Sequence, residues 1–200
     1  MNFLQTAALG AGLLAASTAF ASVKVGQPAP DFVLTGADGK SYSLKDFAGK
    51  KVVLEWHNPE CPFVKKFYSV GEMQRLQTSK TADGVVWLSI NSGAAGKQGH
   101  FDAAAALSYL GKNKATPTAY LLDGNGQVGK SYGAKTTPHM YVIDPTGKIA
   151  YMGAIDSNSS ADSDDIKGAT NYVTTALSAL AAGQAIERSS TQPYGCSVKY

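Results

Sequence analysis

The order of apolar segments predicts an α/β domain, a central mixed β-sheet with helices on both faces and an N-terminal β-hairpin. Three observations carry this expectation. Lys51-Val52-Val53-Leu54-Glu55-Trp56 and Val85-Val86-Trp87-Leu88-Ser89-Ile90 are continuous apolar runs of strand type, the pattern of strands covered on both faces. Each is followed by a stretch suited to a helix. A late pair of short runs around a Pro-Thr-Gly turn then adds an antiparallel hairpin. Sheets of this kind collect their sites at the carboxyl ends of the parallel strands.

The elements follow in order. Gln27-Pro28-Ala29-Pro30 is a proline-restricted, extended lead-in. Asp31-Phe32-Val33-Leu34 and Tyr42-Ser43-Leu44 flank the turn Ala37-Asp38-Gly39-Lys40 and form the first hairpin. After the first buried strand, Phe63, Phe67, Val70, Met73 and Leu76 recur at steps of three and four. That spacing predicts one helix over residues 62–79, with Pro62 in its first turn. A helix over residues 102–110 closed by Gly111 follows the second strand. Thr118 to Leu122 reads as a third strand, ending in the turn Asp123-Gly124-Asn125-Gly126. Met140-Tyr141-Val142-Ile143-Asp144 and Lys148-Ile149-Ala150-Tyr151-Met152 make the second hairpin, and a last helix covers residues 170–182. Residues 189–200 carry no periodicity and read as a tail. The expected organisation is therefore a leader over 1–21, one domain over 22–185 and a C-terminal tail over 186–200.

The 200 residues include 18 Lys+Arg and 15 Asp+Glu, a formal charge of +3, and 44% hydrophobic residues. This excludes a disordered chain. The longest basic runs are the pairs Lys50-Lys51 and Lys65-Lys66, too short for a nucleic-acid patch. Residues 1–21 hold none of the charged side chains. An apolar stretch from Ala7 to Ala16 precedes Ala19-Phe20-Ala21, a small-x-small pattern, although no Lys or Arg precedes the stretch. The pattern is that of a secretory signal peptide cut after Ala21, with no membrane span left after processing. A periplasmic or secreted location follows, where disulfides persist.

Of the two cysteines, Cys61 falls between the first buried strand and the first turn of a helix. Free N–H groups and the partial positive charge of a helix N-terminus favour a thiolate there. Lys65 and Lys66 add to that effect, and Glu60 opposes it. The alternative is a small buried hydrophobe.

Gly26-x-Pro28-x-Pro30-Asp31-Phe32, Trp56 through Val64, and Tyr132-Gly133-Ala134-Lys135-Thr136-Thr137-Pro138 together resemble the thioredoxin-like redoxins. The resemblance runs over residues 25–182 and implies a thioredoxin-like fold. It implies that Pro138 is a cis-proline facing Cys61, and that Pro62, Thr137 and Pro138 form the surface docking an extended substrate. Glu55, six residues before Cys61, matches the buried acid of thioredoxins, a proton acceptor. Two departures bear on activity. Val64 stands where thioredoxins carry their second cysteine, so a mixed disulfide at Cys61 has no local partner. Asn58 and Leu54 stand where peroxiredoxins carry Thr or Ser and Pro. The chain looks most like a peroxiredoxin-like subgroup that keeps only the first thioredoxin cysteine.

The expected activity is thiolate attack by Cys61 on a protein or small-molecule disulfide, or on a peroxide, with a reducing thiol as partner and no cofactor. Cys196, four residues from the end of the chain, is a candidate resolving thiol, within the chain or between subunits. A structural disulfide and an idle thiol are the alternatives. A second expectation is a copper-binding or chaperone-like module using Cys61, Cys196 and His139, with His57 nearby in sequence. The acidic stretch 156–165 resembles a calcium loop only superficially, since Ala161 and Lys167 replace the required Gly and Glu. It reads as a solvated loop.

Overall fold

A computed structural model describes residues 23–200. The leader expected over 1–21 lies outside the described residues.

The first hairpin forms as expected from β1 (Val33–Gly36) and β2 (Ser41–Ser43), with Gly39 in the left-handed region at the turn. The buried runs become β3 (Val52–Trp56) and β4 (Val86–Asn91), every residue of which is buried. β5 (Ala119–Leu122) pairs parallel to β4, as β4 does to β3. The second hairpin is β7 (His139–Ile143) and β8 (Ile149–Gly153), after a two-residue strand, β6 (Thr136–Thr137). The main sheet has the order β2-β1-β5-β4-β3-β7-β8 and is mixed, because β7 runs antiparallel to β3 and β1 antiparallel to β5.

The single helix expected over 62–79 is two helices, α1 (Pro62–Ser69) and α2 (Glu72–Ala82). Gly71, with φ +79° and left-handed, breaks the chain between them while the apolar spacing carries on across the break. α3 (Ala103–Asn113) starts on Asp102, whose side chain accepts from the Ala105 N–H at 2.7 Å. It runs through Gly111, where the sequence predicts its end, and stops at Lys114 in a left-handed conformation. A short helix absent from the sequence reading, α4 (Gln127–Tyr132), follows the turn at Gly126, and α5 (Tyr172–Ala181) is the expected last helix. The tail contains one more strand, β9 (Cys196–Ser197), paired antiparallel with β6.

Two cores flank the sheet. Val53, Trp87, Met140 and Val142 face α1, α2 and α5, packing with Cys61, Val64, Phe67 and Leu177. Leu54, Trp56, Leu88, Ile90 and Tyr141 pack on the opposite face with Phe32, Val128 and Tyr132. Burying an aromatic side chain of this size removes roughly 200 Å² from water, about 5 kcal/mol before entropy. Trp56 and Trp87, both fully buried, therefore clamp β3 and β4 from opposite faces.

Candidate functional site

The site forms where β3 ends. Trp56 pairs with His139 across the β3–β7 ladder, so the residues just before β7 lie beside the residues just after β3. That register brings the Thr137-Pro138 peptide, which is cis as expected, toward Cys61. Between Trp56 and Cys61 a tight turn forms. The Asn58 side-chain oxygen accepts from the Glu60 N–H at 2.9 Å, and the Cys61 N–H donates to the Asn58 carbonyl at 3.2 Å. Gly99 packs against the Asn58 side chain with no room for a Cβ, which fixes the turn from outside.

Cys61 is the residue just before α1, with Pro62 at the first helical position. Its carbonyl accepts the Lys65 N–H at 2.9 Å, while its side chain makes no cap bond and points instead at Thr137. The thiol donates to the Thr137 carbonyl oxygen at 3.0 Å. Cys61 is 0% exposed.

The cover is the C-terminal tail. In the β6–β9 ladder Thr136 pairs with Ser197 and Thr137 with Cys196. The Val198 N–H donates to the Lys135 carbonyl at 3.0 Å, and the Ala94 N–H to the Lys199 carbonyl at 2.8 Å. Gly195 has φ +129°, and a Cβ there would run into the Thr137 carbonyl. Neither cysteine is in a disulfide, and Cys196 packs against the buried cluster that contains Cys61. Burial first, then the adjacent Cys61 sulfur, push the Cys196 thiol up to about 11.

Thr137 and Pro138 are buried, Thr137 to 3% exposure. The docking edge expected at these residues is thus taken by the chain's own tail, and Pro62 alone of the three is exposed.

Glu55 points into the core under α1 and α2. It accepts from Trp87 Nε1 at 2.9 Å, Ser89 Oγ at 2.8 Å, Tyr68 OH at 2.9 Å and, more weakly, Gln77 Nε2 at 3.4 Å. Burial raises its pKa and these donors oppose the shift. No hydrogen bond joins it to either thiol.

Two other expectations are corrected. Lys66 does not support a thiolate at Cys61. It is buried, with Nζ 3.5 Å from Asp156 and donating to the Asn158 carbonyl at 2.9 Å. Asp156 correspondingly begins the acidic stretch as a buried residue, not a solvated one. The copper set does not assemble either. His139 lies with Tyr141, ring centroids 4.6 Å apart, on the sheet face opposite Cys61, and its Nδ1 accepts from the Lys135 N–H at 3.3 Å. His57 sits among Tyr68, Tyr109 and Tyr120, with Nδ1 2.8 Å from the Tyr120 hydroxyl. Burial pulls both imidazoles down to about 3. Among the described residues no three His, Cys, Asp or Glu side chains group as metal ligands, and no helix is long and apolar enough to cross a membrane.

The tail anchors were not legible as site residues. Tyr194 donates to Asp156 and meets Phe63 edge-on at 5.8 Å, while the Tyr200 hydroxyl donates to the Ala134 carbonyl at 2.7 Å. The one available signal is the Gly195-Cys196 pair, a glycine placed directly before a cysteine.

A cysteine before the first helix of a mixed sheet, opposite a cis-proline, defines a thioredoxin-like α/β domain. A profile of the Redoxin family matches residues 24–170, and the chain belongs to that family. It is 29% identical over 135 residues to the thiol-disulfide oxidoreductase ResA of Geobacillus thermodenitrificans, covering 64% of this chain and 68% of that one. Its structure is similar to that of a conserved protein from Geobacillus kaustophilus, with TM-score 0.76 and 27% identity over 92% of this chain and 94% of the other. A thiol:disulfide interchange protein DsbE from Chlorobium tepidum shares the fold over 66% of this chain and 85% of its own, with TM-score 0.53 and 26% identity.

Proposed function

We propose that this redoxin is a thiol-disulfide oxidoreductase whose redox pair is Cys61 and Cys196, alternating between dithiol and disulfide. The observation that carries this is the shared contact with Thr137, whose carbonyl accepts the Cys61 thiol while its backbone pairs with Cys196. The tail thereby supplies the second thiol that Val64 denies to the helix. Cys61 is the nucleophile and Cys196 resolves it, with no cofactor. The ResA likeness supports disulfide exchange as the chemistry. Peroxide reduction is the less favoured variant, since Asn58 and Leu54 replace the residues that peroxiredoxins place before their cysteine. Export through the leader at 1–21 would put the pair in a compartment where its disulfide persists.

Treatment of the full chain with diamide, followed by alkylation and mass measurement without reduction, tests the pairing. The expected product is a monomer lacking two hydrogens and carrying no alkyl group, with a Cys61–Cys196 peptide. Cys61→Ser and Cys196→Ser each abolish it and abolish thiol turnover. Turnover retained in Cys61→Ser overturns the assignment.

A further inference from the structure

The tail that carries Cys196 also lies over the pairing edge beside Cys61. Cys61 is fully buried, whereas Cys196 is partly exposed on β9, a strand paired on one side only, with β6. The tail is also held on both sides of Cys196. Upstream, Thr191 Oγ1 lies 2.6 Å from the Tyr151 hydroxyl and accepts the Ala154 N–H at 2.9 Å. Tyr194 then reaches Asp156, with the Lys66 ammonium 5.8 Å from its ring centroid. Downstream, Val198 and Lys199 bond backbone to backbone, and Tyr200 packs against Gly126 and Gly129 with the Lys130 ammonium 5.4 Å from its ring centroid. A segment fixed at both ends keeps Cys61 covered and the pairing edge at Thr136–Thr137 filled.

Resting on the reading of the two cysteines as a redox pair, we propose that Cys196 is the sulfur at which outside thiols reduce the Cys61–Cys196 disulfide, and that these are small thiols needing no strand pairing at β6. An incoming thiolate attacks Sγ of Cys196 in the Cys61–Cys196 disulfide. The new bond joins the incoming sulfur to Cys196, the bond to Cys61 breaks, and Cys61 leaves with the electron pair as thiolate. A second small thiolate then attacks the small-thiol sulfur of the mixed disulfide. It releases Cys196 as thiolate, which takes up a proton, and a small-molecule disulfide departs. Two electrons pass from two thiols to the protein.

The arrangement is the reverse of one in which the helix cysteine receives the incoming thiol.

The test uses the full chain oxidised with diamide, glutathione as the probe thiol at limiting concentration, and an early acid quench. Alkylation with N-ethylmaleimide and peptide mass mapping follow. Glutathione on Cys196 with the alkyl group on Cys61, at least about tenfold over the opposite pattern, is the expected result. Glutathione chiefly on Cys61 overturns the polarity and leaves the redox pair intact. Failure of diamide to form any Cys61–Cys196 bond overturns the pair and the polarity together.

Discussion

Cys196 pairs in antiparallel register with Thr137, the residue whose carbonyl oxygen accepts the Cys61 thiol at 3.0 Å. The tail thus lies along the cis-proline segment as a docked extended peptide would, with a cysteine at the position nearest the buried thiol. Gly195 permits that approach, because any Cβ would strike the Thr137 carbonyl and φ +129° is strained for other residues. Gly195→Ala is therefore expected to lift the tail from β6. If the substitution costs the docked tail about 1.4 kcal/mol, the population with Cys61 uncovered rises about tenfold. Iodoacetamide labelling of reduced protein measures it. A Cys61 labelling rate equal to that of the unchanged protein would show that the tail is not the cover.

The second anchor is electrostatic. Asp156 Oδ2 has no hydrogen-bond partner and depends on Lys66 Nζ at 3.5 Å, both side chains being essentially unexposed. Removing one member strands the other's charge in the core, at a cost of about 3–5 kcal/mol. Lys66→Ala should lower the unfolding free energy from urea titration by that order, and Lys66→Met with Asp156→Asn should cost clearly less than Lys66→Ala. The same variants should loosen Tyr194 and slow Cys61–Cys196 bond formation. A Lys66→Ala loss below about 1 kcal/mol would mean that the pair is solvated.

The parts of this molecule set by local pattern were legible in sequence, and the parts set by tertiary contact were not. Continuous apolarity located β3 and β4, and Pro62 after Cys61 located the start of α1. The break at Gly71 escaped because Val70, Met73 and Leu76 keep helical spacing on either side of it. β6 and β9 are two residues each, too short for any period, and exist only because the fold brings them together. Lys66 read as a charge supporting Cys61 and Asp156 as part of a solvated loop, since nothing local says that their chain positions meet. Cys61 was identifiable from its place between strand and helix, but its cover was not.

Glu55 carries a pH signature of its own. Burial raises its pKa above the ordinary 4.5, so between that value and the raised one the folded protein holds a proton that the unfolded chain has released. Stability from this group is present in full below pH 4.5 and is lost as pH rises through the folded pKa. Glu55→Gln cannot titrate, so the variant should gain on the unchanged protein as pH rises from 4.5 to 8. Urea unfolding of both at several pH values gives the difference directly. A pH-independent difference would mean that Trp87, Ser89, Tyr68 and Gln77 offset the burial completely.

The two buried imidazoles act in the opposite direction. His57 and His139 are held near pKa 3 by burial, while an unfolded histidine titrates near 6.5. Between those values the unfolded chain binds protons that the folded protein refuses, so stability is full above 6.5 and falls on acidification toward 3. Each histidine withdraws about 1.4 kcal/mol per pH unit in that window, and the two together on the order of 5 kcal/mol between pH 6.5 and 4.5. His57→Asn removes one titrating ring beside Tyr120 and should reduce the slope by about 1.4 kcal/mol per unit. The decisive comparison is the slope of unfolding free energy against pH for variant and parent between 4.5 and 6.5. Equal slopes would mean that His57 gains protons as readily in the fold as outside it, by an opening that lets water reach its unpartnered Nε2.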